Sequence, residues 1–138
     1  MEVYHARGIL LLMKGRGVMI FWIILGLLII GGFGWSIYAK TQPGKYDELA
    51  QCLKDKGATF YGAFWCPHCQ QQKKFFGNSE KLLPYVECSM PDGKTQTPIC
   101  IEKGIVQYPT WVFADGSTTT GEQQPQALAD KTGCAMPQ

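Results

Sequence analysis

The longest apolar pattern is residues 18–38, VMIFWIILGLLIIGGFGWSIY, 21 positions without a formal charge. As a helix this run is about 31 Å long, which matches a bilayer hydrocarbon core of about 30 Å. Trp22 lies near one end and Trp35 and Tyr38 near the other, where interfacial aromatics belong. The run at residues 9–13 is too short to span and predicts at most a loose N-terminal helix. Beyond residue 40 the pattern shortens. Residues 46–56 place Tyr46, Leu49, Ala50 and Leu53 at helical spacing, and Gly57 stops them. Residues 58–64 (ATFYGAF) form a continuous apolar run that suits a buried central strand. A helix follows from Trp65 to Gly77, then a short strand at 84–88, a polar turn-rich stretch at 89–97 and a short helix at 98–103. Residues 110–114 (TWVFA) predict a second buried strand. Asp115–Gly116 is a hairpin turn, 117–121 the return strand, and 125–132 a final helix with Pro at its start and Gly133 after its end.

Strands alternating with helices require crossover connections, and the closing hairpin makes the sheet mixed. The pattern divides the chain into an N-terminal segment (1–17), a membrane span (18–38), a linker with turn chemistry (39–45), a folded body (46–134) and a tail (135–138). The body is the size of one small domain.

Charge decides what surrounds these pieces. Arg7, Lys14 and Arg16 precede the span against Glu2, while Lys40 and Lys45 after it are soon answered by Asp47 and Glu48. The positive-inside rule places the N-terminus in the cytoplasm and the body on the other side of the membrane. The rival reading is a cleaved signal peptide, which would release the body to the periplasm or medium. Ala39 could sit at the cut, but Ile37 makes a poor small-residue site, and the apolar stretch exceeds a typical signal core. Both readings export the body. Residues 40–138 carry ten Lys, ten Asp or Glu and no Arg. A neutral body without a basic cluster excludes a nucleic-acid partner. Its evenly spread Phe, Trp, Tyr, Ile and Leu exclude a disordered one.

All six cysteines (52, 66, 69, 88, 100 and 134) follow the span. An even count in an exported body of this size reads as a disulfide framework, and six cysteines allow fifteen pairings. Cys66 and Cys69 form a C-x-x-C, too close for an ordinary structural staple. Zinc is the alternative, but it usually asks for two closely spaced ligand pairs. Eleven residues separate Cys88 from Cys100, and no second C-x-x-C exists. No metal and no bound cofactor are expected. The redox group is the Cys66–Cys69 disulfide itself.

Trp65-Cys66-Pro67-His68-Cys69 follows a predicted buried strand and opens a helix. Free backbone N–H groups and the helix dipole at a first turn favour the thiolate form of Cys66, making it the nucleophile. Pro67 is tolerated there because its missing N–H would have no helical partner. Cys69 shares the helix face and is the more buried, resolving thiol. His68 can donate to the Cys66 thiolate or sit charged beside it. A stabilised thiolate favours the reduced form, so the disulfide becomes a stronger oxidant. Trp65 directly precedes the nucleophile and is a candidate for the substrate-facing surface. Phe75, Phe76, Trp111 and Phe113 are expected in the core, Lys73 and Lys74 on a solvated helix face, and residues 90–97 in a solvated loop.

The WCPHC motif after an apolar strand, with Tyr108-Pro109-Thr110 some forty residues later, resembles the thioredoxin superfamily. The wider pattern YGAFWCPHCQ, KLLPYVEC and YPTW is similar to the thioredoxin-like domain fused to, or working beside, bacterial homologues of vitamin K epoxide reductase. The similarity covers about residues 46–134. The CPHC active site is also that of the periplasmic oxidant DsbA, whose large helical insertion this chain lacks. The resemblance implies an α/β thioredoxin-like fold with a mixed four-stranded sheet, the first strand of full thioredoxins being absent. It implies a cis Pro109 facing the C-x-x-C and a Tyr108 backbone that pairs with a substrate chain. It also implies structural disulfides Cys88–Cys100 and Cys52–Cys134, with the alternative that one pair relays electrons onward.

The implied activity is thiol–disulfide exchange. The Cys66–Cys69 disulfide would be donated to protein substrates with free thiols, and a quinone-linked membrane partner of the vitamin K epoxide reductase type would restore it. The same fold run in reverse, as a reductase or isomerase, and an anchored non-enzymatic adaptor are the alternatives. One departure bears on direction. Thioredoxins carry a buried acidic residue six positions before the first active-site Cys, and this chain has Phe60.

Overall fold

A computed structural model of the chain describes residues 2–138, with side chains described throughout except for residues 2–16 and Lys40. The chain divides into two compact units, residues 1–42 and 43–138.

The first unit is one helix, α1 (Glu2–Thr41). It is unbroken through residues 9–13, so the short apolar run is not a separate element. It also takes the first residues of the expected linker, where the Thr41 hydroxyl donates to the Tyr38 carbonyl at 2.8 Å. Within it, Gly17–Ala39 is long and apolar enough to cross a membrane, with a mean hydropathy of 2.4. The side chains of Arg7, Lys14 and Arg16, on which the orientation argument turns, lie outside the described side chains.

The second unit contains α2 (Asp47–Asp55), β1 (Thr59–Gly62), α3 (Pro67–Phe76), a 3₁₀ turn (Gly77–Leu82), β2 (Tyr85–Glu87), α4 (Pro98–Glu102), β3 (Thr110–Val112), β4 (Thr118–Thr120) and α5 (Pro125–Thr132). The sheet order is β2-β1-β3-β4. β1 and β2 run parallel, with Phe60 opposite Tyr85 and Gly62 opposite Glu87. β3 is antiparallel to both β1 and β4. This is the mixed four-stranded sheet expected, with strands shorter than their apolar runs. The hairpin turn takes Phe113, whose amide donates to the Ser117 carbonyl at 2.9 Å.

Alternation along β1 divides the core. Phe60 faces the side covered by α2, α3 and α5, among Leu49, Leu53, Phe76, Trp111 and Leu128. Its ring stacks on Trp111 at 5.1 Å and meets Tyr85 edge-on at 5.0 Å. Such contacts add about 0.5–1.5 kcal/mol each beyond the area they bury. Tyr61 faces the other side, with Cys88, Cys100 and Ile105. Met136 packs against the first cluster, so part of the predicted tail belongs to the folded body.

The 3₁₀ segment was not expected, since so short a helix carries no readable periodicity. Its Ser79 is fully buried, and the hydroxyl accepts the Tyr46 amide at 2.9 Å at the start of α2. Two disulfides close the body. Cys52–Cys134 ties α2 to the segment after α5, with Cα atoms 6.0 Å apart. Cys88–Cys100 joins the end of β2 to α4 at 5.6 Å. These are the pairings that the resemblance implies.

Candidate active site

Cys66 is the N-cap of α3, with extended backbone angles, and Pro67 occupies the first turn. The Cys66 amide donates to Ala63 at 3.0 Å and its carbonyl accepts the Gln70 amide at 3.1 Å, so β1 hands the chain directly to the helix. Cys66 and Cys69 are the two free cysteines among the described residues, 6% and 1% exposed. The Cys66 thiol points at the Tyr108 carbonyl, 3.8 Å away. The Tyr108–Pro109 peptide is cis, and Pro109 is fully buried. The two sequence-distant motifs therefore meet at the sulfur of Cys66.

Cys69 sits one turn deeper. Burial pushes its thiol up to about 12, against the pull of the Ala63 backbone and of Lys73. It is a protonated thiol at neutral pH, as a buried resolving cysteine must be until a base takes its proton. Space for it comes from Gly62. A Cβ there would lie 2.8 Å from the Cys69 sulfur and 3.0 Å from Tyr85 Cε2. Gly62→Ala is expected to cost about 1–3 kcal/mol by overpacking. Urea unfolding of the full chain in detergent would measure it. An unchanged midpoint would show that the thiol has room to move.

His68 has a carboxylate partner that the sequence did not suggest. Its imidazole is 71% exposed, and Nδ1 engages Glu122 Oε1 at 2.7 Å instead of the Cys66 sulfur. This pair ties the first turn of α3 to the segment after β4. Trp65 is 49% exposed. Its indole N–H donates to the Ser89 hydroxyl at 2.8 Å, and its ring meets Tyr108 edge-on at 6.2 Å. Gln96 donates to the Tyr108 hydroxyl at 2.8 Å. Ser89 and Gln96 also form an isolated antiparallel bridge. The stretch expected as a plain solvated loop thus holds the aromatic rim of the site through Gln96.

Sequence reasoning missed a second set of residues. Glu87, a carboxylate within a strand, accepts the Tyr85 hydroxyl at 2.6 Å through Oε2. Its Oε1 accepts the Phe64 amide at 3.1 Å and the Ser89 amide at 2.9 Å. Lys73 is not simply solvated: its ammonium lies 3.6 Å from the centre of the Tyr85 ring. Gln72, fully buried, donates to the Gln123 carbonyl at 2.9 Å and accepts the Gln123 amide at 2.6 Å, fixing the approach to α5. The one signal available in the sequence was the charge at Glu87 inside an otherwise apolar strand.

All four remaining cysteines are held in disulfides, which removes the thiolates that the zinc alternative required. Among the described residues no group of three or more His, Cys, Asp or Glu is placed to hold a metal ion.

No family model matches the chain. Over 95 residues, 65% of this chain, it is 44% identical to the thiol-disulfide oxidoreductase LTO1 of Arabidopsis thaliana. The chain spans about a quarter of the length of that relative (25%). The body, with its mixed four-stranded sheet and flanking helices, has an α/β thioredoxin-like fold.

Proposed function

We propose that this protein is a membrane-anchored thiol–disulfide oxidoreductase that works outside the cytoplasm and donates the Cys66–Cys69 disulfide to folding proteins. The observation that carries the reading is the arrangement of the two free thiols: Cys66 at the helix N-cap beneath the Tyr108 carbonyl, Cys69 buried behind it. A substrate thiolate attacks the Cys66 sulfur and Cys69 leaves. A second substrate thiolate then attacks the mixed disulfide, and Cys66 departs as the leaving thiolate. The half-exposed Trp65 and the Tyr108 backbone receive the substrate chain beside the sulfur.

The apolar stretch in α1 serves as the anchor and keeps the body near a quinone-linked membrane partner of the vitamin K epoxide reductase type, which restores the disulfide. The oxidising direction draws support from Phe60. Stacked on Trp111, it fills with hydrocarbon the place where a buried acid would otherwise aid reductive turnover.

The test is the reduction potential of the Cys66–Cys69 pair in the full chain, equilibrated in glutathione buffers. The expected value is near −120 mV, that of a strong disulfide donor. A value near −270 mV, that of thioredoxin, would overturn the oxidising direction and make the protein an exported reductant.

A further inference from the structure

Disulfide exchange moves a proton as well as electrons. When the dithiol is reoxidised, a partner first forms a mixed disulfide with Cys66. Cys69 must then lose its proton before its sulfur can attack. Burial holds that proton firmly on Cys69, and Phe60 leaves no carboxylate on the adjacent position of β1.

The register of the sheet brings a different set of groups to the thiol. Tyr85 lies opposite Phe60 and Glu87 opposite Gly62. The Cys69 sulfur and the edge of the Tyr85 ring flank the same gap, the one left by the missing side chain of Gly62. The Tyr85 hydroxyl is bonded to Glu87 at 2.6 Å, and the Lys73 ammonium sits 3.6 Å from the ring centre. Lys73 is one helical turn beyond Cys69 on α3, on the same face.

We propose that Tyr85 and Glu87 take up and return the Cys69 proton in each exchange cycle, while Lys73 stabilises the transient thiolate. This rests on the redox reading of the Cys66–Cys69 pair and adds where its proton goes. In reoxidation the Cys69 S–H bond breaks and its proton passes to the Tyr85 oxygen. The tyrosine's own proton moves along the short bond to Glu87 Oε2. Tyr85 ends neutral, Glu87 ends as the carboxylic acid, and Cys69 is a thiolate; no electrons move in this step. The thiolate then attacks Cys66, the bond from Cys66 to the partner sulfur breaks, and the partner leaves as a thiolate. Disulfide donation runs the proton path backwards.

The charged and titratable groups around Cys69 are Cys66 and Lys73 on α3 and Tyr85 on β2, with Glu87 behind the tyrosine. Burial and the Glu87 carboxylate raise the tyrosine above its ordinary range, so it relays as a neutral hydroxyl. Glu87 does not touch the sulfur; it acts through Tyr85.

The experiment uses the full chain in detergent, with Cys66 loaded as a mixed disulfide with glutathione. Release of glutathione by Cys69 is timed from pH 5.5 to pH 9 in the wild type, Tyr85→Phe and Glu87→Gln. Both variants are expected to release about tenfold more slowly, or worse, below pH 7. The gap should close toward pH 9, where solvent base removes the proton. Glu87→Gln keeps an oxygen for the Phe64 and Ser89 amides. Alkylation of Cys66 in a Cys69→Ser background should be unchanged by either substitution, which a general disturbance of the site would not allow. Wild-type release by Tyr85→Phe across the range overturns the proposal. So does a loss equal at every pH and shared by Cys66 alkylation. A wild-type mixed disulfide that never releases glutathione would instead sink the redox reading beneath it.

Discussion

Cys66→Ser is expected to lower disulfide transfer to a reduced, unfolded protein roughly 10³-fold or more, to the uncatalysed background. The hydroxyl is close in size and takes the same N-cap position, so the fold should persist. It cannot form or leave a disulfide, and Cys69 at 1% exposure cannot reach a substrate in its place. Cys69→Ser has a different signature. Cys66 remains able to join a substrate, but the mixed disulfide loses its internal resolving thiol and accumulates. Thiol titration during refolding and trapping of mixed disulfides on non-reducing gels would read both. Retained activity in Cys66→Ser would overturn the enzymatic reading and leave an anchored adaptor that uses the apolar rim around Trp65 and Tyr108.

The second large effect concerns stability. Replacing Cys52 and Cys134 together by alanine opens a loop with a sequence separation of 82. Chain entropy assigns such a closure roughly 4 kcal/mol. For a domain of this size each kcal/mol moves Tm by about 4–8 °C, so Tm should fall by roughly 15–30 °C. Both sulfurs sit against the first core cluster, with α2 packed on α5 across the same seam, so the alanines also lose packing. Thermal unfolding of the full chain in detergent, followed by far-ultraviolet circular dichroism, checks this. Separately, the potential of the Cys66–Cys69 pair should hardly move, since the clamp does not touch it. A shift of that potential with little change in Tm would make Cys52–Cys134 an electron relay and not a clamp.

The parts of this molecule legible in its sequence are those governed by local rules. The alternating order of strands and helices followed from short apolar runs bounded by Gly and Pro, and the seat of Cys66 followed from a strand running directly into a Pro-led helix. Residues 18–38 announced a span-like helix by length and lack of charge. The two structural disulfides were not legible from spacing, and only the family resemblance selected their pairings. What was missed depends on register or on distance along the chain. Nothing in the string PYVEC shows that Tyr85 will lie beside Phe60, or that its hydroxyl will rest on Glu87 near a thiol on α3. Nor does CPHC show that His68 will turn to a carboxylate 54 residues away. Lys73 looked like any helix-surface lysine until β2 brought an aromatic ring under it.

The two clamps also differ in when they can close. Cys88–Cys100 spans a sequence separation of only 12 and can form while the remainder of the chain is still being made. Cys52 must wait for Cys134, which follows α5, the last helix. During synthesis from the N-terminus, every other cysteine therefore emerges before the correct partner of Cys52 does. The nearest of them in sequence are the reactive Cys66 and Cys69. Maturation of this protein thus carries a built-in opportunity for its own active-site thiols to capture Cys52. A bond from Cys52 to either of them would have to be exchanged once Cys134 arrives.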